Sequence, residues 1–532
     1  MKYLIQPLMS QPGFQRDGTP YDSKNYVGGQ WTRFYRGKPR KIGGYKLIDY
    51  GKEDIIIDGI TYSSIVNSMF SCAKPDNLVD IFLGRPLSLS VLPVAQGGFS
   101  DVEVDRTPPG LPANPNNKWS MDLFTFEQEA LTTSYLVAHC APNNSSISST
   151  TEGGIYYGDI NTIDPLAPIL DQDDNPVVVS GGIVYIAPFI VAYGNDGTIF
   201  WSPDDGSITP WNTLTNSLVV SNTKIVKAFP ARGGGSTLNK GSVSPAVLLW
   251  TLNSLIRATY TSAAGEQGFG YEVIQSDISI LAPNSVVQYN QMFFWIGENQ
   301  FYFFNGIVNK LENEMNSDFF FNNLNYEYRS KIFGVVNPRF DEIWWFYPSG
   351  SSTENDSAII FNVKYQIWYD TKINRASGLI PVTFSKPILA DSAPNPTPTF
   401  TGLKQQYPIW YHEFNYDKII GQNAYAIESW FQTHFIDLFT QDPSNSNLLY
   451  TRRIQPDFNQ IGEMTVAVSN LMYPNDTPIF TGPFIFDSTT RFIDDVTSQG
   501  AIVSFIFSSN VLEGYYQMGK TLLNYTVGNE IK

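Results

Sequence analysis

The feature that most limits the fold is a recurring short run of apolar or alternating residues, rich in aromatic and β-branched side chains and closed by turn chemistry. The runs include LVDIFLG (78–84), YLVAHC (135–140), IVYIAPFIVAYG (183–194), AVLLWTL (246–252), MFFWIG (292–297), EIWWFYP (342–348) and YPIWYHEF (407–414). Each has strand length and strand composition. Between them stand Asn195-Asp196-Gly197, Asp204-Asp205-Gly206 and Asn305-Gly306, which supply the positive-φ positions of tight hairpins. Strands this short and regular build a sandwich, a barrel or a propeller. In a chain of 532 residues, their number favours a propeller over the middle. A weak repeat, strand then turn then aromatic strand, recurs at 192–202, 292–306 and 342–370.

The expected fold class is all-β. It comprises a β-propeller-like body at 51–415, an additional antiparallel β domain at 416–532, and an extended basic and aromatic N-terminal arm at 1–50. The best helical candidate is 310–332. The proline-rich stretch 386–408 reads as a surface loop or a domain junction.

Composition agrees with strands. Aromatic residues make up 14% of the chain and charged residues 16%, below the roughly 25% charge of a typical soluble domain. Aromatic enrichment with charge depletion is the mark of interface cores, so assembly with other subunits is expected. The net charge of −16 argues against a chain that wraps nucleic acid, because affinity for phosphate rests on Lys and Arg clusters. Cys72 and Cys140 are too few to staple the fold and stand in no metal-ligand spacing; the spacing leaves open whether they pair. The N-terminus has no sustained apolar run, and no stretch of about 20 apolar residues occurs. Synthesis in the cytoplasm without a membrane span is expected.

Residues 1–50 differ from the rest. RFYRGKPRKIGGY (33–45) is basic, aromatic and glycine-rich. It reads as a docking strap for an acidic neighbour, with Arg33, Tyr35, Arg36, Lys38, Arg40 and Lys41 as the candidate contacts. Plainer alternatives are a solvated arm, or a first strand tethered to the body. On the docking reading, removal of residues 1–45 should leave a folded body.

No catalytic, cofactor or metal site is expected. His139 and His412 lie in strand-like aromatic runs, and His434 follows a Trp-Phe pair; all three read as core or interface residues. Gly233-Gly234-Gly235-Ser236 lacks the Lys-Ser/Thr pair of a phosphate loop. Asp341-Glu342 beside Trp344-Trp345 invites comparison with paired glycosidase carboxylates. Yet adjacent strand residues point to opposite faces, so the two tryptophans cannot share one site. Asp171, Asp173 and Asp174 form a fragment of a calcium loop without its terminal Glu, better read as a hairpin turn.

Three segments together resemble the tail nozzle, or tail tubular, proteins of short-tailed bacteriophages. They are RDGTPYDSKNYVGGQWTRFYRGKPRKIGGY (16–45), the stretch from MFFWIGENQFYFFNG to NVKYQIW (292–368), and SSNVLEGYYQMGKTLLNYTVGNE (508–530). The resemblance implies a virion protein without enzymatic activity, assembled as a sixfold ring below the portal and its adaptor. Its partners would be further copies of itself, head-to-tail adaptor proteins, and tail fibre or spike proteins. Genomic double-stranded DNA would pass through the lumen without specific binding. The rival from another class is a receptor-binding or polysaccharide-depolymerase tail protein.

Overall fold

The computed structural model describes residues 4–74, 78–95, 97–128, 131–142, 152–231, 244–263, 266–381, 383–399, 402–437 and 447–530. Among these the chain is all-β, with a single α-helix at Ser317–Asn323 and 3-10 turns at Asn195–Gly197 and Tyr326–Lys331. The helical expectation over 310–332 thus shrinks to two short pieces. Asp17 accepts hydrogen bonds from the Asp318 and Phe319 amides at 2.9 and 2.7 Å, capping the helix start.

From residue 68 the chain lays down seven sheets in sequence; the first six are antiparallel meanders whose strands pair mostly in chain order, and the seventh also takes in a strand from the N-terminal segment. The first strands of these sheets are Ser68–Ala73, Asn117–Gln128, Gly182–Ile186, Ile225–Pro230, Val287–Tyr289, Phe333–Asn337 and Ser377–Leu379. They follow one another around a ring. Most neighbours pack directly; the fourth and fifth sheets are joined through the cluster of Leu248, Trp250, Phe293 and Trp295. The ring closes where Ser377–Leu379 packs against Ser68–Ala73. This is a propeller-like arrangement, and the weak sequence repeat falls on the strands that follow the inner one in the third, fifth and sixth sheets. The hairpin between Val287–Tyr289 and Met292–Ile296 turns on Asn290 and Gln291, with φ of 49° and 66°. That left-handed pair matches the twist of the flanking strands.

The proline-rich stretch is not a plain loop. Ile388–Ala390 is a buried strand of the seventh sheet, and Asn395–Thr399 pairs with Gly402–Gln406. Pro396 and Pro398 stand two apart, so their missing donors lie on the same edge, where a two-stranded hairpin tolerates them. Gly233–Ser236 lies outside the described residues.

The C-terminal unit contains three sheets, and the N-terminal segment enters every one. Leu4–Pro7 pairs with Leu522–Glu530, Gly28–Gln30 with Ser429–Gln432, and Lys38–Lys41 with both Thr32–Tyr35 and Tyr515–Met518. Tyr45–Asp49 then crosses into the propeller-like body, between Ile409–His412 and Asp417–Ile420. The expected arm is extended, but it does not project. It is a lacing strand that ties one unit to the other. Asp417–Ile420 and Asn423–Ala426 likewise belong to the seventh sheet of the body.

One core follows from this lacing. Phe14, Tyr26, Trp31 and Phe34 are buried together with Phe346 and Tyr369 of the body and Phe431, Phe507 and Tyr516 of the C-terminal unit. Phe34 sits 5.6 Å from Tyr369, and Tyr26 lies 5.7 Å from Phe431, both edge to face. Cys72 and Cys140 are unpaired and buried in a single apolar cluster. No helix among the described residues is long and apolar enough to cross a membrane.

Candidate functional site

The basic segment meets acid inside the chain. Arg33 is 1% exposed. Its guanidinium donates to Glu342 Oε2 at 3.0 Å and to both carboxylate oxygens of Glu413, at 3.0 and 2.5 Å. The Phe340 ring lies 3.6 Å beneath it. Burial works against the charge, but Glu342 and Glu413 more than offset it, and the Arg33 pKa is held above its ordinary value. Glu342 also accepts from Trp344 Nε1 at 2.8 Å and from the Tyr369 hydroxyl. Burial, with Glu413 adding to it, raises the Glu342 pKa against the pull of Arg33. Trp344 packs in the core shared by the two units, and Trp345 packs in the neighbouring body cluster. The two tryptophans therefore face opposite sides, as alternation requires.

Two of the six candidate contacts are corrected by this placement. Arg33 and Lys41 are buried within the protomer and are not available to an adaptor or a second subunit. Burial, opposed by Asp417, lowers the Lys41 pKa to about 8. Tyr35, Lys38 and Arg40 are half-buried and only Arg36 is exposed. Arg40 stacks 5.0 Å from the Tyr35 ring and 5.4 Å from that of Tyr515. This face is a small cation–aromatic surface rather than a free arm.

The larger exposed surfaces lie elsewhere. The hairpin Ile55–Ile57 and Ile60–Tyr62 pairs only with itself and exposes Ile55, Ile56, Ile57 and Ile60, with Ile56 at 70%. Asp58 and Gly59 form its turn, both at positive φ. The second surface is Ile479–Phe486, the outermost strand of a C-terminal sheet. It exposes Ile479, Phe480 and Ile485 at 69%, 58% and 65%. A long apolar edge strand is a ready pairing template. Sequence reasoning missed both surfaces. The DIIIDGITY pattern (54–62) was a legible hairpin signal, but nothing local says that both of its faces are wet.

The other sequence candidates take structural roles. Asp171 Oδ1 accepts from the amides of Asp173 and Asn175, both at 2.9 Å, so it closes its own turn. His412 accepts from Arg375 Nε at 2.9 Å, and His434 Nδ1 lies 2.8 Å from the Ser10 hydroxyl. His139 is buried and its Nε2–H donates to the Val179 carbonyl at 2.8 Å. Burial lowers its pKa from 6.5 to about 4.

That last shift has a defined sign. Between about pH 6.5 and 4 the unfolded chain binds a proton that the folded chain refuses, so stability falls as pH falls. At about 1.4 kcal/mol per pKa unit, the loss through His139 reaches up to about 3 kcal/mol near pH 4. Urea midpoints at pH 7 and pH 5 should therefore differ less in His139→Gln than in the native chain. An unchanged difference would remove His139 as a source of acid sensitivity.

No protein family matches the sequence, and no curated protein matches it. Two solved structures are similar in arrangement. One is an exo-β-1,3-galactanase from Phanerochaete chrysosporium, 8% identical, matched over 91% of this chain and 100% of that one, with a TM-score of 0.29. The other is a putative exported protein from Bacteroides fragilis, 9% identical, over 53% of this chain and 86% of that one, with a TM-score of 0.27. The galactanase corrects one expectation: a chain similar in arrangement to an enzyme is not to be set down as lacking activity. At this TM-score the likeness assigns no activity or substrate either.

Proposed function

We propose that this chain is a ring-forming nozzle subunit of a short-tailed phage tail, sited below the portal and adaptor, through which genomic DNA leaves the virion. The observation that carries the reading is the pair of unlike apolar surfaces on one chain, the isoleucine hairpin at 55–62 and the edge strand Ile479–Phe486. Two different patches on identical subunits favour head-to-tail contacts. Such contacts give a ring when the rotation closes. The resemblance of residues 16–45, 292–368 and 508–530 to nozzle proteins supplies the rest, including adaptor proteins as partners and a sixfold ring. The net charge of −16 suits a lumen that DNA passes without sticking.

Native mass spectrometry tests it, on the chain alone and with its adaptor. A hexamer is expected, and Phe480→Lys with Ile485→Lys should shift it to monomer, each lost apolar anchor costing about 2 kcal/mol or more at an interface centre. A trimer would favour the fibre reading, and monomer under both conditions would end the nozzle reading.

A further inference from the structure

The ring of inner strands leaves a cavity at the end where several of those strands begin, with a volume of about 530 Å³. That lies within the roughly 300–1,000 Å³ of small-molecule sites. Its wall is assembled from residues far apart in sequence. Lys118 opens the second inner strand, Lys224 and Lys227 lie at the start of the fourth, and the 3-10 turn Tyr326–Lys331 crosses the floor. Lys118 Nζ donates to the Ser330 carbonyl at 3.2 Å, which fixes the turn against the wall.

The charge of this wall is inverted relative to the chain. Lys118, Lys224, Lys227 and Arg329 face the cavity, against the carboxylate of Glu327, although the whole chain carries −16. Among the described residues none of these four cations forms an ion pair. Asp122 acts on Lys227 from behind, but its carboxylate already accepts the backbone N–H groups of Leu123 and Tyr185, at 2.8 and 2.7 Å. Lys331, just beyond the floor, is paired with Glu354. The His139 ring is held by Val179. The lysines therefore converge on a shared space in which the one lining carboxylate, Glu327, forms an ion pair with none of them. Surrounded like-charged groups are costly unless paired.

We propose that this axial cavity binds a small phosphate-rich anion between Lys118, Lys224 and Lys227. Ammonium groups are point charges on flexible stems, suited to a compact group of high charge density. The planar fork that suits a carboxylate, Arg329, is exposed and already donates to the Tyr326 carbonyl of its own turn. Proton affinities agree. Burial first, then repulsion from Lys227 and Lys331, lowers the Lys118 pKa to about 8, and burial lowers Lys224 and Lys227. A bound anion opposes each of these shifts. The site is independent of the nozzle reading, since a cavity of this size admits a solute and not a DNA duplex.

The test is calorimetric titration of the full chain with sodium tripolyphosphate at pH 7, with sodium citrate as the carboxylate arm. Saturable binding at one site per protomer is expected, weakening by about tenfold or more between low salt and 0.5 M sodium chloride as screening shortens. Citrate should bind about tenfold more weakly. Lys118→Gln with Lys227→Gln should lose binding by about tenfold or more, while the melting temperature holds or rises because like-charge repulsion is gone. Absence of saturable tripolyphosphate binding below about 5 mM, weaker than the ~1 mM scale of barely specific ligands, would overturn the proposal. So would a double variant that binds as the native chain does, or citrate binding as tightly as tripolyphosphate. Should the double variant not fold, Lys224→Gln makes the same comparison.

Discussion

A chain that begins at residue 46 should not fold. Three strands would lose a partner, Leu522–Glu530, Ser429–Gln432 and Tyr515–Met518, and the helix at Ser317–Asn323 would lose its side-chain cap from Asp17. The shared core would lose Phe14, Tyr26, Trp31 and Phe34, each essentially fully buried. Deleting one buried aromatic side chain costs about 3–5 kcal/mol, so four together match or exceed the roughly 5–15 kcal/mol by which a domain is stable. The C-terminal unit should suffer most, because its three sheets all draw strands from the segment. Circular dichroism and limited proteolysis of the truncated chain should show an unfolded or aggregated C-terminal half. Supplying residues 1–45 as a separate peptide during refolding should recover soluble protein. A truncated chain that stays compact and protease-resistant would mean that the lacing is dispensable.

This outcome reverses the expectation raised by composition, and the reason is physical. Residues 1–50 are rich in glycine and cations, with little periodicity, which is how a solvated arm reads. Their strand partners sit hundreds of residues away: Leu4 opposite Tyr525, Gly29 opposite Phe431, Tyr45 opposite His412. No local pattern encodes a pairing across that separation. The body was easier to read, because its hairpins are local. Phe189–Gly194 pairs with Thr198–Trp201 across the turn at Asp196 and Gly197 that the sequence spelled out. The isoleucine hairpin shows the middle case. Its strands and turn were legible at 54–62, but its exposure depends on what the rest of the chain leaves uncovered. The axial lysines were the least legible of all. Lys118, Lys224 and Lys227 look like ordinary surface residues until the ring brings them to one cavity.

Replacing Arg33 by Met should destabilise the protein by about 3–5 kcal/mol, the cost of stripping one partner from a buried ion pair. The variant keeps the volume and the contact with Phe340 but leaves Glu342 and Glu413 without a counter-charge. The penalty should depend on pH, with a sign opposite to that of His139. Glu342 already has a raised pKa from burial and from Glu413, with Arg33 opposing. Without Arg33 that pKa rises further, so the folded variant holds a proton that the unfolded chain releases. Stability then falls as pH rises through the window between the unfolded and folded values. Arg33→Met should therefore be closer to the native chain at pH 5 than at pH 8 in urea denaturation. Adding Glu342→Gln and Glu413→Gln should remove most of the pH dependence, because neutral amides need no counter-charge: the amide at 342 keeps its one oxygen for Trp344 Nε1–H and donates its N–H to the Tyr369 hydroxyl, and the amide at 413 keeps an oxygen for Asn337. A loss below about 1 kcal/mol, the scale of an exposed ion pair, or one that does not change between pH 5 and 8, would show that this cluster is not what joins the N-terminal strand to the body.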